Sequence, residues 1–237
     1  MNQPRFYRKW THSDLIDFQV QDEETDILIS AEKRLETKAK DLINRYRNTI
    51  IDYIKVNPEF KTSLTPLPVD HDAPAIIKSM LKAASLTGVG PMAAIAGAIS
   101  EFTGKALLQF SKEVILENGG DIFIKTEKER KIGIYAGNSP LSGKISIRIK
   151  PEFTPCGVCT SSGTVGHSLS FGRADAVSII SYDTALSDAC ATATANRVKD
   201  EKDMEEALNF AKSIEGIIGA VVIYGNKVGI KGKVELG

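Results

Sequence analysis

Apolar and polar residues alternate at the start of the chain, and the period then changes. Leu15, Ile16, Phe18 and Val20, followed by Ile27, Leu28 and Ile29, alternate in strand fashion. Asp22-Glu23-Glu24 between them predicts a hairpin turn facing water. From about Ala31 to Lys55 the period lengthens: Leu35, Ala39, Leu42, Tyr46 and Ile50 recur every three or four residues and build one apolar helical stripe. Asn57-Pro58 ends it, because a residue before proline avoids helical backbone. Pro66, Pro68 and Pro74 mark a connector, and Pro74 is suited to open the next helix. Two short helices are predicted, Ala75 to Leu86 and Met92 to Phe110, separated by the Gly88-Val89-Gly90-Pro91 hinge. The second is crowded with small residues (Ala93, Ala94, Ala96, Gly97, Ala98), so another backbone can come close. That face expects a sheet or a ligand against it.

From Glu113 the period becomes two. VILEN, DIFIKT, KIGIYA and KISIRI are four predicted strands separated by glycine, asparagine or charged turns. GVCTSSGTVGHSLSFGRAD reads as a loop and AVSIIS as an apolar strand. Helices from about Thr184 to Val198 and from Asp203 to Ile214 follow, and the tail AVVIYGNKVGIKGKV turns as a hairpin at Gly225-Asn226. Mixed clusters of helices and strands predict an α+β fold, with mixed or antiparallel sheets packed with helices, rather than strict βαβ alternation.

Composition narrows the function classes. Of the 237 residues 25% are charged, and the charges balance to a formal net of zero. No basic excess exists for the clustered phosphate contacts of nucleic-acid binding. The longest apolar-leaning region, Met92 to Leu108, is broken by Gly97, Ser100, Glu101, Thr103, Gly104 and Lys105, which argues against a membrane span. The N-terminal stretch through Asp26 lacks the apolar core of a secretory signal. Three cysteines, Cys156, Cys159 and Cys190, cannot all pair with one another. The expected address is the cytoplasm.

Four segments carry candidate chemistry. In ENGGDI, Asn118-Gly119 is the strongest short hairpin signal, since both central residues of that turn take positive φ. It serves as a plain turn, or as an element where Gly119 and Gly120 bare the backbone to a ligand and Asp121 anchors it. TSSGT sets the hydroxyls of Thr160, Ser161, Ser162 and Thr164 around Gly163. Such a group can donate to an anion, and it also fills ordinary loops. His167 follows, eligible as acid or base and equally ordinary as a surface residue. Cys156 and Cys159 form a C-x-x-C pair, the spacing of a redox couple or half a metal clasp, although buried free thiols are commoner. Asp188 and Thr192 stand four apart and share one helix face. Their carboxylate and hydroxyl suit Mg²⁺, while an aspartate near a helix start also favours the dipole.

Taken in order, these segments resemble the ApbE-like superfamily, whose best-known members are Mg²⁺-dependent FAD:protein FMN transferases. Asn118-Gly119-Gly120-Asp121-Ile122 is similar to its GGDI motif. Thr160-Ser161-Ser162-Gly163 resembles its TSG segment, which lies by the flavin. S-D-A-C-A-T-A, with Asp188 and Thr192, resembles its metal motif. The run CTSSGTVGHSLSFGRADAVSII is more similar still to a shorter, cytoplasmic branch, and the likeness spans about Gly88 to the C-terminus. The resemblance implies one ApbE-like domain over residues 1–237, with room for two intimately packed α+β subdomains. Two departures stand out. The transferases' K-G-Y-x-x-D motif is replaced by GPMAAIAG, and their S-H-I-I-D-P-x-T-G loop shrinks to VGHSLSFGRAD.

The resemblance implies three functions. The first is a Mg²⁺-dependent transferase with a small-molecule ligand: Asp188 and Thr192 hold the metal, residues 118–121 and 160–164 cradle FAD, FMN or another nucleotide, and His167 or Cys159 moves a proton or attacks. The second is a thiol- or sulfur-handling protein of anaerobic sulfide assimilation and homocysteine formation, with Cys159 reactive and an iron–sulfur protein as partner. The third is a non-catalytic partner that kept the scaffold. A homo-oligomer is compatible with each.

Overall fold

Consecutive antiparallel pairing organises the chain. The computed structural model describes residues 14–22, 25–163 and 171–237. Strands β1 (Ile16–Asp22) and β2 (Thr25–Ala31) form the opening hairpin. Helices α1 (Glu36–Val56), α2 (Glu59–Thr62), α3 (Ala75–Thr87) and α4 (Ile95–Leu107) follow. Then come β3 (Val114–Asn118), β4 (Asp121–Lys125), β5 (Arg130–Gly133), β6 (Ser146–Ile149), β7 (Cys156–Ser161) and β8 (Ala176–Ser181). Helices α5 (Thr184–Ala195) and α6 (Met204–Ser213) precede the closing hairpin of β9 (Ile217–Tyr224) and β10 (Lys227–Gly232).

Eight strands form one sheet in the order β1-β2-β3-β4-β7-β8-β9-β10, every pair antiparallel, and β5 and β6 form a separate two-stranded ribbon. Side chains alternate across a strand, so each strand feeds two layers. Phe18, Val20, Ile27, Ile29, Phe123, Val177 and Val222 join the core under the helices. Ile122, Ile124, Cys156, Val158, Ile180, Val221 and Ile223 pack on the other side with Ile132, Ile134, Ile147 and Ile149 from the ribbon and its flank. A sheet covered on both faces reads as α+β, as the mixed clusters predict.

The structure corrects three sequence expectations. The long helix starts at Glu36 rather than Ala31, because Ala31 is still paired with Val114 in the sheet. The helix expected from Met92 begins with a tight 3-10 turn over Pro91–Ala94, and α4 proper runs from Ile95 to Leu107. The segment from Gly157, predicted as a loop, opens within β7, a strand paired with β4 and β8. Its first four residues are buried, so no polar alternation betrays it. Among the described residues no single helix is long and apolar enough to cross a membrane.

Candidate functional site

Helix α5 is the centre of the molecule, and eleven of its twelve residues are buried. Thr192 is the one that stays partly exposed, one turn beyond Asp188. Such a helix must have close neighbours, and glycines admit them. A Cβ at Gly157 would lie 2.6 Å from the Thr184 Cα, so only glycine lets α5 sit on β7. A Cβ at Gly97 would come within 2.4 Å of the Thr184 carbonyl oxygen and 2.8 Å of the Asp188 Cβ. The small-residue face of α4 therefore receives a helix there, and one turn past Glu101 the ring of Phe123 from the sheet packs on Gly104.

Asp188 is 8% exposed, and its Oδ2 accepts the Gly97 N–H at 2.8 Å, with the Ala96 N–H also donating to it. Those amides belong to the first turn of α4, whose own N-cap supplies no side-chain acceptor. Burial pushes the carboxyl up to about 7, against the pull of the two amides.

Asp121 lies opposite Cys159 in the β4–β7 ladder. Its carboxyl is pushed well above the ordinary carboxylate range by desolvation and then by the charges of Asp188 and Glu117, while donation from the Cys159 thiol and the Thr160 N–H draws it back. Asp121 is partly buried and Asp188 buried, and they lie close enough for the Asp188 charge to act on Asp121. Two carboxyls raised in this way favour a proton or a cation there over two free charges.

The turn that brings Asp121 in lies one residue later than the Asn118-Gly119 expectation: Asn118 still pairs with Asp121, and the two central residues are Gly119 at φ 70° and Gly120 at φ 111°, because both can take positive φ without strain. It is tied down on three sides. Glu117 Oε1 accepts the Gly120 N–H at 3.0 Å, Asn118 Nδ2 donates to the Ala96 carbonyl, and Ser100 Oγ donates to the Asp121 carbonyl. Thr160 N–H reaches the Gly120 carbonyl at 3.2 Å, which joins the glycine turn to the hydroxyl segment.

The hydroxyls divide between two faces. Thr160 Oγ1 is 2.7 Å from Ser178 Oγ, on the ribbon side, so this hydroxyl points away from Asp121 and Asp188. Ser161, Ser162 and Gly163 are partly buried at the end of β7, where the Gly163 N–H donates to the Ala174 carbonyl. Thr164 and His167 lie outside the described residues.

The three thiols are free and buried. Cys156 packs in the ribbon-side core, whereas Cys159 Sγ donates toward the Thr184 carbonyl of α5 at 3.5 Å on the helix side. Three residues apart on a strand, they point to opposite faces and cannot meet as a redox couple or clasp one metal. Burial pushes Cys156 and Cys190 up to about 12. Desolvation and the Asp121 and Asp188 charges hold Cys159 well above its ordinary value, so its thiol acts as a hydrogen-bond donor.

Sequence reasoning overlooked Glu101. It is 4% exposed and reaches α5, where Oε2 accepts the Thr184 N–H at 2.7 Å and the Ala185 N–H at 3.3 Å. Lys105 pairs with its other oxygen. A charged residue within an apolar helix is the available signal in the sequence.

The Mg²⁺ that the resemblance implies fits these donors. Asp188 and Thr192 offer hard oxygen on one helix face, and a cation would offset the part of the Asp188 desolvation that the two amides leave. Among the described residues no three His, Cys, Asp or Glu side chains converge as a metal cage. Mg²⁺ needs none, since it keeps waters and leans on a ligand's phosphates.

Known proteins match this chain in sequence and in fold. A sequence-family profile described as AbpE bacteria matches residues 8–236. A UPF0280 protein of Methanocaldococcus jannaschii is 46% identical over 217 residues, covering 89% of this chain and 88% of its own length. A UPF0280 protein of Methanosarcina acetivorans is 41% identical over 214 residues, covering 89% and 84%. In fold, the chain is similar to the flavin transferase ApbE of Vibrio cholerae (TM-score 0.60, 14% identity, 94% and 98% covered). It is also similar to the ApbE protein of Thermotoga maritima (TM-score 0.62, 13% identity, 91% and 96% covered). With the family profile spanning nearly the whole chain, the protein belongs to the ApbE-like superfamily, in the branch that includes the UPF0280 proteins.

Proposed function

We propose that the chain binds a flavin or related nucleotide-type ligand, with Mg²⁺ held by Asp188 and Thr192, and acts as a transferase on it. The observation that carries this reading is a convergence on the first turn of α4, where Asp188 accepts the Gly97 and Ala96 N–H groups and Asn118, beside the Gly119-Gly120 turn, donates to the Ala96 carbonyl. Bound there, Mg²⁺ would neutralise a diphosphate and the charge that develops on it during transfer. Asp188 supplies the ionised ligand, fixed by the Gly97 and Ala96 amides. Asp121 is the group suited to hold or accept a proton, because its surroundings favour the neutral acid. The exposed Gly119 and partly buried Gly120 let a phosphate or ring approach the backbone, and Ser161, Ser162 and Gly163 lie just past Thr160 to meet it. Thr164 and His167 belong to the same proposal, His167 as a proton carrier. The flavin transferases of the same fold support the ligand class.

Titration of the purified chain with FAD, with and without Mg²⁺, tests this reading. Quenching of flavin fluorescence and a raised thermal midpoint, both dependent on Mg²⁺ and lost in Asp188→Asn, are expected. Unchanged fluorescence and midpoint at millimolar FAD and Mg²⁺ would sink it. The sulfur-handling reading, with its iron–sulfur partner, draws no support from three buried thiols on divergent faces. A non-catalytic partner on the same scaffold predicts flavin binding without turnover.

A further inference from the structure

Glu101 and Asp188 cap each other's helices. The carboxylate of Glu101, on α4, takes the first two amides of α5, and the carboxylate of Asp188, on α5, takes two amides in the first turn of α4. The spacing is matched: Gly97 and Glu101 are four apart on α4, and Thr184 and Asp188 are four apart on α5, so the contacts are one turn of helix apart on both. The two helices lie against each other at Gly97, where a side chain would collide with α5. We infer that Glu101 is a positioning residue for Asp188: by fixing the start of α5, it sets where the Asp188 carboxylate meets α4 and is presented to a metal.

Several features favour this role over simple burial of a charged residue. A Glu side chain costs much to bury unless paired, and this one is satisfied by two amides and by Lys105, itself half-exposed. The remaining amides of the first turn of α5 are met within the helix segment, Leu186 N–H by the Asp183 side chain and Ser187 N–H by the Asp183 carbonyl. Glu101 is therefore the contribution from outside the segment to that helix start. Asp188 in turn supplies what the N-cap of α4, Ala94, cannot. Displacing either carboxylate frees the helix that positions the other.

The metal part of this inference rests on the reading proposed above, and the experiment separates the two. Backbone amide exchange at Gly97 reports the Gly97–Asp188 bond without any metal, and Mn²⁺ titration followed by electron paramagnetic resonance reports the metal site, since Mn²⁺ favours the same oxygen donors. In Glu101→Ala, Gly97 exchange should rise about tenfold while amides of β8 and β9 keep their rates. Mn²⁺ affinity should fall about tenfold. Glu101→Gln keeps an oxygen acceptor for Thr184 and should restore most of both. If Glu101→Ala fails to fold, Glu101→Asp, charged but one methylene shorter, carries the same comparison. Unchanged Gly97 exchange, or acceleration of all amides together, overturns the positioning role. A wild-type chain that binds no Mn²⁺ overturns the metal reading instead, while Gly97 exchange still decides the role of Glu101.

Discussion

Asp121 and Cys159 are partners across the β4–β7 ladder, and the one thiol proton has two acceptors in reach, the Asp121 carboxyl and the Thr184 carbonyl of α5. The pairing puts the cysteine within the site and denies it the thiolate form. All three thiols should therefore resist alkylation in the native chain at neutral pH and react after denaturation. Fast native labelling of Cys159 would revive the sulfur-handling reading. Cys159→Ser should keep the fold and the ligand affinity within a few-fold, since a hydroxyl also donates to Asp121.

Helix contact at Gly97 leaves no room for a methyl group. Gly97→Ala should force α4 and α5 apart and cost about 1–3 kcal/mol, as overpacking does. Urea unfolding gives the stability change. Ligand binding should weaken along with it, because the Asp188 contact to Gly97 is broken by the same displacement. A neutral Gly97→Ala would contradict the close approach.

Stability should fall with rising pH across the window set by Asp188. Its carboxyl ionises near 3.8 in the unfolded chain and near 7 in the folded one, so folding between those values takes up a proton. The Asp188 part is lost as pH rises through about 7, and Asp121, shifted in the same direction, adds a further loss. Glu113 has the opposite sign. It is held low, despite the desolvation that raises it, by Thr126, the Glu127 N–H and Arg130, and its contribution disappears only as acid is added. Urea midpoints from pH 4.5 to 8 should thus decline without metal, flatten in Asp188→Asn, and recover at pH 8 with Mg²⁺. A slope that Asp188→Asn leaves unchanged would mean that Asp188 does not set it.

Thr192 separates binding from folding. Because it is the partly exposed residue of α5, Thr192→Val should change stability by less than about 1 kcal/mol. Loss of its hydroxyl should reduce Mg²⁺ affinity about tenfold, measured by calorimetry. Equal affinities would remove Thr192 from the site.

Much of the fold was legible because local pattern and burial agree. The helical stripe from Leu35 to Ile50 and the Gly225-Asn226 turn each obey one local rule and are present, while the turn expected at Asn118-Gly119 is displaced by one residue to Gly119-Gly120. β7 was misread because a strand buried on both faces does not alternate between apolar and polar. The start of α1 was misread because apolar spacing cannot tell the end of a strand from the first turn of a helix.

The candidate site was legible in part. The order of the glycine turn, the hydroxyl segment and the Asp188–Thr192 pair stands in the sequence, since each is a short motif. The faces to which their side chains turn do not. Thr160 directs its hydroxyl to Ser178, and Cys156 and Cys159 diverge, because strand alternation acts only once β7 is recognised as a strand.

The amino-acid sequence by itself determined the α+β class, the positions of most elements and the motifs that resemble the ApbE-like superfamily, since these depend on neighbours a few residues apart. Tertiary structure alone decided that the Asp188 charge acts on Asp121 across 67 positions of chain, and that Glu101 caps a helix 83 positions away. Desolvation and charge coupling are properties of packed atoms in space, and no local pattern encodes them.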